Sequence, residues 1–144
     1  MNDTVGLLQS CHRGTITAVN TLEHVMEYVQ SRDMQQRLKT TLKRHQELGT
    51  EVGRALHEQH VEAADPNAMA RMGVWMTTEM RMMTDAEHRD QKIAHLIING
   101  CNTGIQALSG DVNRYSNASG ESRALASSLV REEERLMEEL RTFL

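Results

Sequence analysis

The sequence predicts an all-α protein: a four-helix up-and-down bundle with an additional short crossing helix, in a single domain spanning residues 1–144. Three observations lead there. Apolar residues recur at alternating steps of three and four through four long stretches, the seam of an amphipathic helix. Aromatic residues make up 3% of the chain and proline occurs once, so Leu, Met, Val, Ile and Ala must build the interior, a palette that favours helix over sheet. At 144 residues the chain is long enough for one real core and short for two.

The first helix is expected over residues 4 to 30, with Leu8, Cys11, Thr15, Ala18, Leu22, Val25 and Val29 on its seam. The break "SRD" at 31–33 offers Ser31 or Asp33 as a cap. A second helix then carries Met34, Leu38, Thr41, His45, Leu48, Val52, Ala55 and Gln59 to about His60. "VEAADPN" holds the single proline, and Pro66 suits a first helical turn, where its missing N–H costs nothing. Met69, Met72, Met76, Met80 and Met83 follow as a methionine stripe, expected to be the short crossing helix. "TDAE" at 84–87 has the form of a capping box, which predicts a fresh helix start. The helix from there to about 115 should turn Asp90, Ala94, Ile97, Cys101, Leu108 and Val112 inward. Gly100 and Gly104 within "NGCNTG" predict a kink or the close approach of a neighbour. "SNASGES" is a loop, and the last helix lines up Leu125, Leu129, Leu136, Leu140 and Phe143.

Charge and composition exclude some functions. The net charge is −4 and the 16 basic residues are scattered, so no basic stripe is available to displace counterions from nucleic acid. No leader-like segment opens the sequence and no run of 18 apolar residues occurs, so the expected location is cytoplasmic, away from the membrane. Cys11 and Cys101 fit no CxxC pattern and are expected to be free thiols.

The polar residues set inside the apolar stripes are the candidates for function. At about 100° per residue, His45 falls near the centre of its helix's apolar arc, among Leu38, Leu42, Val52 and Leu56. On the last helix Glu133 lies between two leucine columns, Glu132 at the edge and Glu134 toward water. Aligning helix midpoints brings His45, Glu133, Cys101, Asn99 and Asn102 to within a turn or two of one level. A buried carboxylate must be paired, protonated or metal-bound, because stranding it costs several kcal/mol. One reading is a His45–Glu133 hydrogen bond that fixes helix register. The other is a metal site of His45, Glu133 and Cys101, a mixed ligand set suited to zinc or, less well, iron.

In its helix lengths, and in a methionine segment able to carry the chain back to the opposite end between its second and third long helices, the chain resembles small ferritin-like proteins of bacteria. A ferritin-like di-iron site takes a Glu from each of two helices and a Glu-x-x-His turn from each of the others. This chain has no Glu-x-x-His; its nearest stretch, Asp85-Ala-Glu-His88, sits at a helix start, where acids complement the helix dipole. The resemblance therefore implies the fold without ferroxidase chemistry.

Weaker constellations have plainer explanations. His57 and His60 end a helix, where capping accounts for them, and the methionine stripe reads as core filler or contact surface before copper(I) ligation. A phosphotransfer histidine sits on an exposed face with Lys three and Gly four residues on; His45 has Leu48 and Gly49 there and faces inward. The expected function is a non-catalytic structural or protein-interaction bundle, with a homodimer or another protein as partner through the Met-rich segment and Trp75. The alternatives are a metal-binding or redox-stress protein and a degenerate histidine phosphotransfer domain.

Overall fold

A computed structural model describes residues 2–63 and 87–144. Among them lie four long helices, α1 (Asp3–Met26), α2 (Arg32–Glu58), α3 (Arg89–Arg114) and α4 (Gly120–Leu140), followed by a 3-10 turn at Arg141–Phe143. No helix among the described residues is long and apolar enough to cross a membrane. The methionine stripe, Pro66, Trp75 and Thr84 of the expected capping box lie outside the described residues, and with them the crossing helix.

Three of the four helices start on a side-chain cap. Asn2 Oδ1 accepts the Val5 N–H (2.8 Å), Ser31 Oγ the Met34 N–H (3.2 Å) and Ser119 Oγ the Ser122 N–H (3.2 Å), each satisfying a donor that the first turn leaves free. The expected start of α3 at "TDAE" is corrected: its N-cap is His88, in the left-handed conformation (φ 57°) and without a side-chain cap. Elsewhere the helices end slightly inside the sequence expectation, α1 at Met26 and α2 at Glu58. The seam of α1 runs past its end because Val29, beyond the last turn, still packs on the core.

The core falls into two halves, and these fix the direction of every helix. One half joins Leu22 and Val25 of α1, Met34 and Leu38 of α2, Ile93 and Ile97 of α3, and Leu136 and Leu140 of α4. The other joins Leu7 and Cys11, Val52 and Leu56, Leu108, and Leu125 and Leu129. Helices α1 and α4 therefore run one way, α2 and α3 the other. This departs from a strict up-and-down order, in which α3 would oppose α2. The chain leaves α2 at one end of the bundle and enters α3 at the opposite end, which a connection of some 30 residues allows.

Each end is tied by the same device, an acid in the first turn of one helix accepting backbone N–H groups of the loop beside it. Asp90 accepts from Gln30 (2.8 Å) and Ser31 (2.7 Å), and Asp3 accepts from Asn117 (2.9 Å). Asp90, expected to face inward on the seam of α3, is thus a loop clamp. Next to Asp3, Thr4 Oγ1 accepts the Ser119 N–H (2.9 Å). Gly6 lets the Tyr115 ring close over that end, since a Cβ there would sit 2.5 Å from Tyr115 Cε1.

Candidate functional site: a buried pair beside a cleft

Between the two core halves lies a polar level. His45 is 0% exposed, and Nδ1 donates to the Thr41 carbonyl at 2.9 Å, the oxygen that the preceding turn presents. Nε2 meets Glu133 Oε1 at 2.9 Å. With a carbonyl on one nitrogen and a carboxylate on the other, the ring donates from both sides in its charged form. Burial, the largest influence, opposes that charge; the Glu133 hydrogen bond and charge, the Thr41 carbonyl and Glu132 together outweigh it and raise the pKa above the ordinary 6.5. One residue earlier, Arg44 pairs with Glu132 at 2.9 Å. Two consecutive residues of α2 thus grip two consecutive residues of α4, which fixes their register.

Cys101 of α3 lies near this level, 4% exposed, and lines the same cavity as Glu133. Burial first, then the Glu133 carboxylate, push its pKa far up, so it stays a protonated thiol and not a nucleophile. Cys11, 0% exposed, is pushed up to about 12 by burial, with Asp111 adding to the effect. Both cysteines are free. Of the three residues singled out in the sequence, His45 and Glu133 are brought into direct contact, and Cys101 shares a cavity lining with Glu133. Asn99 and Asn102, expected to converge with them, are both exposed. His57 and His60 are exposed as well, and His60 closes α2 by taking a left-handed conformation (φ 59°) that lets the Val61 N–H reach the Leu56 carbonyl at 3.0 Å.

Beside Glu133 opens a cavity of about 600 Å³ between α1 and α3, floored by α4. It exists because both walls are built from small residues at helical spacing. Helix α1 contributes Gly14, Ala18 and Thr21, and α3 contributes Gly100, Gly104 and Ala107. Helix α3 is continuous through the glycines, and a Cβ on Gly100 or Gly104 would meet nothing within 4 Å among the described residues. The expected close neighbour is therefore not found among the described residues, where these glycines instead widen a cleft. Leu129 and Leu136 line the floor, with Glu133 between them and 13% of its side chain exposed. At one end Ser10 Oγ donates to Asp111 Oδ2 (2.7 Å) and accepts from Arg13 (3.1 Å). Sequence reading missed this cleft. Its signal was the small-residue spacing on two helices, which is informative only once those faces are known to oppose each other.

Among the described residues, no group of three or more His, Cys, Asp or Glu side chains is arranged to hold a metal ion. No protein-family model, curated protein or solved structure matches the chain.

Proposed function

We propose that this chain is a non-catalytic interaction bundle, ferritin-like in fold and cytoplasmic, whose working part is the cleft between α1 and α3. The observation that carries this reading is the cavity of about 600 Å³ beside the buried core. That size suits a drug-sized guest, and apolar walls with a few placed polar groups are the usual make-up of a binding site. The parallel course of α2 and α3 supports the ferritin-like assignment, since it is the long-crossover arrangement. The burial of His45 at 0% exposure, with both ring nitrogens engaged, works against phosphotransfer.

The test is binding of a neutral naphthyl alcohol, followed by backbone NMR shifts, to the native protein and to an Ala18→Leu, Gly104→Leu double variant. Shifts that cluster on α1 and α3 and vanish in the variant support the reading. Absence of binding to the native protein overturns it.

A second reading, zinc or iron at Glu133, is favoured by His45 on that carboxylate and Cys101 in the same cavity lining. An ion there would replace the protons now held on Nε2 and Sγ. Elemental analysis of protein purified without chelators decides it. Near-stoichiometric metal that disappears in Glu133→Gln supports the site, and none after reconstitution sinks it. Homodimerisation, or capture of another protein, is the remaining proposal for a partner, and sedimentation at several concentrations tests the former.

A further inference from the structure

We infer that the cleft between α1 and α3 binds an organic cation, an apolar molecule carrying one ammonium group, with that group on the Glu133 carboxylate. The inference rests on the cleft being a binding site and adds the chemistry of its guest.

The charged groups of the cleft differ in what they have left to offer. Arg13, the one cation in the lining among the described residues, is exposed and tied to Ser10, which in turn holds Asp111. That end satisfies itself. Glu133 sits mid-cleft on an apolar floor, and His45 occupies one of its two oxygens. An ionised carboxylate has about four lone-pair directions, so it retains capacity for a donor from the cleft side. An anionic guest would face Glu133 and Asp111 together, and a neutral one would leave that capacity unused. An ammonium bond made inside an apolar wall is stronger than the same bond in water.

Three probes of one shape separate the possibilities: 6-(1-naphthyl)hexylamine, the corresponding alcohol and the corresponding carboxylic acid, titrated calorimetrically. The amine is expected to bind roughly tenfold tighter than the alcohol, and the acid weakest. In Glu133→Gln, checked by circular dichroism, the advantage of the amine over the alcohol should disappear. In the native protein, which needs no variant to fold, the order amine, alcohol, acid is already a test. Equal affinities for amine and alcohol would overturn the inference and leave the cleft reading standing. If none of the three binds, both fall. Dimerisation that excludes the alcohol would assign the cleft to a second copy and also overturn it.

Discussion

His45 and Glu133 are costly to separate and cheap to replace together. Removing either one strands the other between two apolar half-cores, whereas a buried pair exchanged for well-packed apolar residues is often neutral or better. His45→Leu alone should therefore cost about 3–5 kcal/mol, and the His45→Leu, Glu133→Leu double replacement far less than the sum of its singles. Urea unfolding of the four proteins measures this. A loss that is simply additive would mean the two side chains do not depend on each other. The pair also sets a pH dependence. Because the folded-state pKa of His45 is raised, its contribution is complete below the unfolded value of 6.5 and is lost as pH rises through the folded value. Thermal midpoints should fall across that window in the native protein and stay flat there in His45→Leu. The inward position of both residues was legible from helical phase alone. What phase could not give was that Asn99 and Asn102, two residues before Cys101 and one after it, are exposed while Cys101 is buried. An error of a single residue in rotational setting is 100°, which is enough to send an asparagine from core to water.

Helix ends followed different rules from helix seams. The leucine seams of α1, α2 and α4 were readable because burying a stripe leaves a period in the sequence. Ends depend on local backbone geometry that single residues announce poorly. His60 and His88 both occupy the left-handed region, which residues with a Cβ enter at a cost. His60→Gly should stabilise the protein by about 1 kcal/mol, read as a higher urea midpoint at unchanged slope, and a lower midpoint would mean that the imidazole itself contributes to the cap. Asp90 illustrates the opposite error. Its place on the apolar seam suggested an inward residue, yet it sits in the first turn of α3, where a carboxylate finds the loop's free N–H groups. Asp90→Ala should cost about 1–3 kcal/mol, a loss that Asp90→Asn should partly restore.

Among the described residues the bundle is two helical hairpins, α1–α2 and α3–α4, laid side by side with a cleft between α1 and α3. Their cores were legible; their relative direction was not, because antiparallel and parallel neighbours bury the same stripes. Direction emerged only from which residues share a half-core. The same arrangement has a mechanical consequence. Residue 2 lies at the end of the bundle that holds Leu7 and Leu56, and residue 144 at the end that holds Leu22 and Leu140. Tension between them acts along the bundle axis and loads the α1 and α4 contacts in shear, so many must yield at once. Tension between residues 2 and 58, which leave from the same end, peels α1 from α2 one turn at a time. In an optical trap the first geometry should hold to a clearly higher force than the second, making this a bundle that is stiff when pulled end to end and soft when pried apart.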